Sequence, residues 1–364
     1  MEEMVNIFQN KRVLVTGHTG FKGSWISLWL LELGADVIGF SRDFPSEPNL
    51  FSEAKITGRL KHHEGDICNF EAVKKVFSET KPDYVFHLAA QALVRLSYQK
   101  TKETFDTNVG GLVNVLECVR QTPSVRFFLN VTSDKCYENK EWMWGYRETD
   151  RLGGKDPYSA SKAVAEIVTQ SYQQSFFPTS SIDQHRVDVL TVRAGNVVGG
   201  GDWNADRLIP DAIRSLSKNE IILIRNPKSV RPWQHVLDCL GGYLLLASKA
   251  LSSPGVYTGG WNFGPGGNLV TVEEVVEKIL KGWGEGSWQK MEQEKDKGEA
   301  SLLHLNCDKA MNLLKWSPVW NLDATIDKTV QWYRQYYQNP SQAYSLCQTQ
   351  IREFMKDQDS RKVL

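Results

Sequence analysis

No two cysteines form a CxxC pair, the chain carries no net charge, and it has neither a long apolar run nor an internal repeat. Each absence removes a class of protein. The six cysteines (Cys68, Cys118, Cys136, Cys239, Cys307, Cys347) are scattered, which speaks against a zinc cage or a disulfide framework. They read as reduced packing residues of a cytoplasmic protein, with no metal expected. Lys+Arg and Asp+Glu stand at 43 each, which disfavours a strongly basic nucleic-acid binder. The most apolar early run, residues 25–33, contains Glu32 and falls well short of the ~18 apolar residues of a membrane span. The opening Met1-Glu-Glu-Met4 is acidic and lacks the basic start of a secretory leader, so none is read.

What remains is a globular composition: 364 residues, of which 41% are apolar and 24% charged. That length is about two domains' worth at ~150 residues each. A chain of this size buries roughly 75% of its unfolded surface, enough to fold without staples. Most of the twelve tryptophans are expected to fill the core.

From residue 11 to about 193, short β-branched runs alternate with longer helical ones. Strands are predicted at Arg12–Thr16, Val37–Phe40, Tyr84–Leu88, Phe127–Val131 and Val187–Arg193, with a further strand-like run before Gly65. Helices are predicted at Lys22–Leu33, Phe70–Thr80, Thr101–Arg120 and Pro157–Gln174. This alternation implies a doubly wound parallel sheet covered by helices on both faces. Beyond residue 196 the regularity fades into turns, with helices at Pro210–Lys218, Val236–Leu251, Thr271–Gly282 and Leu322–Gln338. Thr271 and Glu274 make a capping box that fixes one helix start. The second half reads as a smaller mixed α/β cap, and the last dozen residues as a frayed tail.

Thr16-Gly17-His18-Thr19-Gly20-Phe21-Lys22-Gly23 follows the first strand and opens a helix. Gly17 permits the sharp turn, Gly20 lets backbone approach a pyrophosphate, and Gly23 permits close helix–strand packing. The helix N-terminus, with free N–H groups and roughly +0.5 charge, suits that anion. After the second strand comes Ser41-Arg42-Asp43, where an acid normally bonds the ribose of NAD. Asp43 could supply that carboxylate, whereas Arg42 leaves a 2′-phosphate, and hence NADP, open as the lesser alternative. Asp66 and Ile67 offer contacts for an adenine, and the small residues of Leu88-Ala89-Ala90 leave room for the cofactor.

Asp156-Pro157-Tyr158-Ser-Ala-Ser-Lys162 places an N-cap and a first-turn proline ahead of a Tyr/Lys pair one helical turn apart. A phenol ionises near pH ~10, so service as a base near neutrality needs help worth about 4 kcal/mol. A neighbouring ammonium and a cationic nicotinamide both push that way. Ser133, Asp134 and Lys135 follow the fifth strand, at the carboxyl edge where open α/β sheets bind ligands.

Together, TGxxGxxG, the strand-end HLAAQ, the Ser/Thr before Asp134 and Tyr158-x-x-x-Lys162 resemble the extended short-chain dehydrogenase/reductase family. Thr16–Trp25, Gln91–Tyr98, Thr132–Tyr137, Trp144–Glu148, Arg193–Trp203 and Arg231–Val236 are similar to its sugar-nucleotide 4,6-dehydratases, in particular to the branch that carries Asp-Lys rather than Asp-Glu. The resemblance spans about residues 8–335. It implies a Rossmann-type NAD-binding domain over 8–195, a mainly sugar-nucleotide-binding domain over 196–340 with some chain exchange, and a C-terminal tail over 341–364. It also implies NAD as cofactor, CDP-glucose as small-molecule substrate, loss of water to give a 4-keto-6-deoxy sugar, and a cytoplasmic homodimer without nucleic acid or membrane. Another sugar-nucleotide dehydratase, or a 4-epimerase on the same scaffold, is the alternative.

In that scheme the catalytic set is Tyr158, Lys162, Ser133, Asp134 and Lys135. Gly17, Thr19, Gly20, Phe21, Lys22, Gly23, Arg42, Asp66, Ile67, Leu88, Ala89 and Ala90 hold the cofactor with Tyr158 and Lys162. Asn196, Arg207, Leu208, Arg231 and Gln234 hold the substrate. Asp134 is the candidate acid for the departing hydroxyl; Lys135 is either the base at C5 or an electrostatic stabiliser. Arg193 reads as structural or cofactor-side, and Trp142/Trp144 as either a sugar cover or simple packing.

Overall fold

The computed structural model describes residues 2–266, 270–291 and 302–361. Its centre is a seven-stranded sheet made of β1 Arg12–Thr16, β2 Asp36–Ser41, β3 Lys61–Glu64, β4 Tyr84–His87, β5 Phe127–Val131, β6 Asp188–Ala194 and β7 Gly259–Phe263. The spatial order is β7-β6-β5-β4-β1-β2-β3, and every neighbouring pair is parallel. Strands buried on both faces are largely apolar, and β5 and β6 are buried at every residue, with Asn130, Asp188, Thr191 and Arg193 as their buried polar members. The two-residue period then divides their side chains between two cores. Val13, Val15, Phe86, Leu129 and Val192 face one core, shared with Trp25, Trp29 and the helix Val236–Ser252. Leu14, Ile38, Val85, Phe128 and Val189 face the other, beneath the helices Phe70–Thr80 and Leu112–Gln121.

Chain order reverses between β1 and β4, which opens a crevice at their carboxyl ends, the usual ligand position in such sheets. The second half of the chain covers that crevice with three short strand pairs. These are Asn196–Val198 with Trp233–His235, Val230–Arg231 with Val270–Thr271, and Ile222–Ile224 with Trp288–Lys290. The capping box of Thr271 and Glu274 is present in both its bonds. Four of the tryptophans, Trp25, Trp29, Trp261 and Trp332, are fully buried core residues.

Three features differ from the sequence reading. The helix predicted over Thr101–Arg120 is interrupted by a wider π-type turn at Asp106–Gly111. That turn brings Asn108 to the main chain of Gln91 and to Ser161, linking the loop after β4 to the helix that carries Tyr158. A strand unrecognised in the sequence, β7, returns from the second half to pair with β6. Its Gly-Gly-Trp-Asn-Phe run is too short and glycine-rich to show a β pattern.

The frayed tail is corrected for residues 353–361: Ala343–Arg361 is a helix. Its apolar positions are spread among charged ones, which hid them, yet Cys347, Ile351 and Phe354 are buried. Phe354 lies edge-on to Trp29 and Trp320, with centroids 5.4 and 5.1 Å away. Phe354→Ala is therefore expected to destabilise the protein by about 3 kcal/mol or more, read as a lower denaturation midpoint. A frayed tail would leave the midpoint unmoved.

Candidate active site

One cavity of about 1290 Å³ runs along the carboxyl ends of the strands under the cap. A pocket for one ligand is typically ~300–1,000 Å³, so this one has room for two. Its inner end is the glycine turn. Gly17 has φ +73°, and a Cβ there would lie 2.7 Å from the Ala89 nitrogen. A Cβ on Gly23 would lie 2.1 Å from the Gly17 carbonyl oxygen. Only glycine fits either position. The helix Phe21–Glu32 starts at Gly20 with no side-chain cap, which leaves its N-terminal N–H groups to a ligand. Thr19 is held in place by Ser41 Oγ and the Asp43 carbonyl, both at 2.7 Å. These features fit the pyrophosphate of a dinucleotide.

At the adenosine end, Arg42 donates to Asp43 at 3.0 Å and to Asp66 at 3.3 Å, and lies 3.6 Å from Glu103. Three carboxylates around one guanidinium leave little positive field for a 2′-phosphate, so the surroundings suit NAD better than NADP. Ser41 is engaged by Thr19, and Asp43, Asp66 and Glu103 are the carboxylates at this end.

The reacting end is built on the helix Pro157–Phe176, whose N-cap Asp156 accepts from Ser159 N at 2.9 Å. Tyr158, Lys162 and Glu166 recur every fourth residue on one buried face. Glu166 accepts from Thr191 Oγ1 at 2.6 Å, from Arg193 at 2.7 Å and from Thr132 Oγ1. Burial alone would raise this carboxyl; Arg193 and the three hydrogen bonds outweigh it and hold Glu166 below the ordinary range. Lys162 donates to the Val131 carbonyl at 3.2 Å. Burial and then Lys22 lower its ammonium to about 8.

The next three residues carry the remaining polar chemistry. Ser133 caps the short turn Asp134–Cys136, accepting from Lys135 N at 3.2 Å and donating to Asp134 Oδ1 at 3.0 Å. Asp134 is buried, and its Oδ1 lies 3.6 Å from Lys135 Nζ, on a side chain 36% exposed. Tyr158 is expected from the sequence to be lowered by cations, but burial outweighs them and its phenol stands above the ordinary value. Lys135, a hydrogen bond with Ser133, and Arg207 act in the lowering direction. Arg207, from the cap, donates to Asp202 at 2.8 Å.

All the residues expected at the site line this one cavity except Gln234. Gln234 is buried and donates to the Phe263 carbonyl at 2.9 Å, tying the cap to β7, so its assignment to substrate is corrected. Trp142 and Trp144 also lie outside the lining; Trp142 stacks on Tyr146 at 5.3 Å. Arg193 is structural, with Tyr137 and Glu166 as partners at 2.6 and 2.7 Å. The sequence reading missed Glu166, although its spacing from Tyr158 and Lys162 was visible. It also gave no role to Arg95, although that residue lies within Gln91–Tyr98, nor to Asp206 and Arg225, for which no local pattern exists; all three line the cavity. Among the described residues, no cluster of His, Cys, Asp or Glu is arranged to hold a metal, and no helix is long and apolar enough to cross a membrane.

A glycine cradle at β1, with a Tyr/Lys helix facing it across the crevice, defines a dinucleotide-dependent enzyme of the short-chain dehydrogenase/reductase type. Within that class the chain belongs to the GDP-mannose 4,6 dehydratase family, whose profile matches residues 14–329. It is 48% identical over 330 residues to the CDP-glucose 4,6-dehydratase of Salmonella typhimurium, covering 90% of this chain and 92% of that one. The dTDP-D-glucose 4,6-dehydratase of Bos taurus is 27% identical, covering 90% of each. Among solved structures, the dTDP-glucose 4,6-dehydratase of Streptomyces venezuelae with NAD bound is 25% identical with a TM-score of 0.77, covering 91% of this chain and 99% of that one. The UDP-glucose 4-epimerase of Thermus thermophilus in complex with NAD is 25% identical with a TM-score of 0.75, covering 89% of this chain and 99% of that one.

Two outcomes follow from this geometry. Gly23→Ala should weaken NAD binding at least tenfold by calorimetric titration, because its Cβ collides with backbone. Glu166→Gln should cost roughly 3–5 kcal/mol, because it leaves the buried Arg193 guanidinium without its counter-charge. Since Glu166 is lowered in the folded protein, its stabilisation is present above the unfolded value of ~4.3 and lost as pH falls through the folded one. The variant should lack that part of the acid-side decline in a pH series of unfolding curves.

Proposed function

We propose that the protein is a cytoplasmic NAD-dependent CDP-glucose 4,6-dehydratase, converting CDP-D-glucose to CDP-4-keto-6-deoxy-D-glucose with loss of water. The observation that carries this reading is the Asp134/Lys135 pair beside Tyr158 in one cavity, together with 48% identity to a CDP-glucose 4,6-dehydratase. The cofactor would be held by Gly17–Gly23, Arg42, Asp66, Ile67 and Leu88–Ala90. The chemistry supplied by bound NAD is two-electron oxidation of C4 and the matching reduction at C6; its positive ring also favours the Tyr158 phenolate.

Tyr158 takes the proton of the C4 hydroxyl, which Ser133 orients. Once C4 is a ketone, the C5 proton is acidic and the C6 hydroxyl can leave. Asp134 and Lys135, 3.6 Å apart, hold one transferable proton between them. With that proton on Asp134, Lys135 removes the C5 proton and Asp134 protonates the departing C6 hydroxyl. The elimination returns the pair to ammonium and carboxylate, so no net proton is lost. Arg207 and Arg231 supply guanidinium forks for the diphosphate, with Asn196 and Leu208 beside them. A homodimer is part of the proposal, supported by the exposed Ile167 and Phe176 on the Tyr158 helix, each about half open to solvent.

With CDP-glucose as substrate, mass spectrometry should show a product lighter by one water; a product of unchanged mass would point to an epimerase instead. Tyr158→Phe should lower turnover by at least ~10²-fold, the lower end of general-base effects. Asp134→Asn and Lys135→Met should each stop water loss, and the double variant should be little worse than either, since one proton-sharing unit is removed each time. Additive losses would argue for two independent groups.

A further inference from the structure

The cavity lining also holds three charged side chains that the chemistry above does not use. Arg225 Nη2 donates to Asp206 Oδ1 at 2.6 Å, and Arg95 Nη1 lies 3.6 Å from the same oxygen. All three line the cavity, and they come from separate pieces of chain. Arg95 belongs to the short helix Val94–Gln99, Asp206 to the loop before Leu208–Ser217, and Arg225 directly follows the strand Ile222–Ile224. Exposed ion pairs of this kind contribute only ~0–1 kcal/mol, a poor structural reason for the arrangement. Next to this cluster, Ile222, Leu223, Ile224 and Met291 give the cavity an apolar wall.

Resting on the reading of this cavity as a nucleotide-sugar site, the parts of the ligand have a fixed order. The sugar lies at Tyr158 and the diphosphate at Arg207 and Arg231. The glycine end belongs to the dinucleotide, so the nucleobase falls beyond the diphosphate, where Asp206 adjoins Arg207 in the chain. We infer that Asp206, oriented by Arg225, reads the base and selects cytosine. The Asp206 carboxylate accepts from the exocyclic 4-amino group of cytosine, and the Arg225 N–H groups face its ring acceptors. Thymine and uracil carry a carbonyl at the same position, so the carboxylate repels them while their N3–H meets a guanidinium. Discrimination therefore contains a repulsive element as well as an attractive one. The flat faces of the ring rest on the apolar wall.

The test compares kcat/KM for CDP-, dTDP- and UDP-glucose in the native enzyme and in Asp206→Ala, Asp206→Asn and Arg225→Ala. Asp206→Ala should lower kcat/KM for CDP-glucose by about 10- to 100-fold, mainly through KM, without a matching loss on the other two. Asp206→Asn, whose amide can turn a donor towards a carbonyl, should improve relative use of dTDP- and UDP-glucose. Arg225→Ala should move the preference in the same direction by a smaller factor, and serves if the Asp206 variants fail to fold. Retention of the native CDP preference within about threefold in folded Asp206→Ala, or a native enzyme without any such preference, overturns the inference. Titration with CDP and dTDP alone, without turnover, separates the two claims. If native protein binds CDP selectively through Asp206 but dehydrates nothing, the functional reading fails and this one stands.

Discussion

A buried carboxylate holds the reacting end of this protein together. Glu166 extends from the same helical face as Tyr158 and Lys162, and its oxygens are engaged by Thr132, Thr191 and Arg193. Thr132 directly precedes Ser133, Asp134 and Lys135, and Thr191 and Arg193 lie on the adjacent strand. One side chain thus fixes the distance between the phenol on the helix and the acid–base pair at the strand end. A buried ion pair is an expensive fastening, since the desolvation of both charges must be offset by hydrogen bonds. Here Glu166 has three, and Arg193 adds Tyr137 and the Glu148 carbonyl to its own set. Apolar packing could join helix and sheet as firmly, but it would not specify their register as narrowly.

The crevice at the sheet's reversal point is large enough for two ligands, and Tyr158 is part of its lining. Its electrostatics are graded along that length. At the cofactor end, Arg42 is surrounded by carboxylates. At the centre, burial dominates, shifting Tyr158 upward and Lys162 downward from their ordinary values. Both shifts disfavour charge, so the resting site is poised to be charged by what binds to it. His87, bonded to Thr16 and lowered to about 3 by burial and Lys162, adds a neutral polar group to this centre. On the cap side, Arg207 is paired with Asp202, which restrains its guanidinium at the cavity wall.

Most of the sheet was legible in the sequence because most of its strands are buried on both faces and leave largely apolar runs. The glycine turn was legible for a related reason: a backbone collision excludes every side chain, so residue identity reports geometry. What stayed hidden depends on contacts between distant segments. The strand Gly259–Phe263 has little intrinsic preference and is defined by pairing with β6. The helix Ala343–Arg361 has apolar residues too sparse to stand out, yet they meet Trp29 and Trp320. Gln234 shows the converse: a polar residue in a motif that suggested a ligand contact is buried against the Phe263 carbonyl and outside the cavity lining. The cluster of Arg95, Asp206 and Arg225 joins residues from three regions, and no spacing rule could have united them.

The return of β7 to the edge of the main sheet has a consequence for how such enzymes are re-engineered. The cap is not a lid hinged on a finished base, because the chain passes through it before the base is complete. Cutting at the apparent boundary would strip β6 of a neighbour and expose Arg193 and Trp261 to water. A chimera that exchanges whole halves with a relative is therefore poorly matched to this topology. Grafts confined to the loops around the mouth leave the interwoven framework undisturbed.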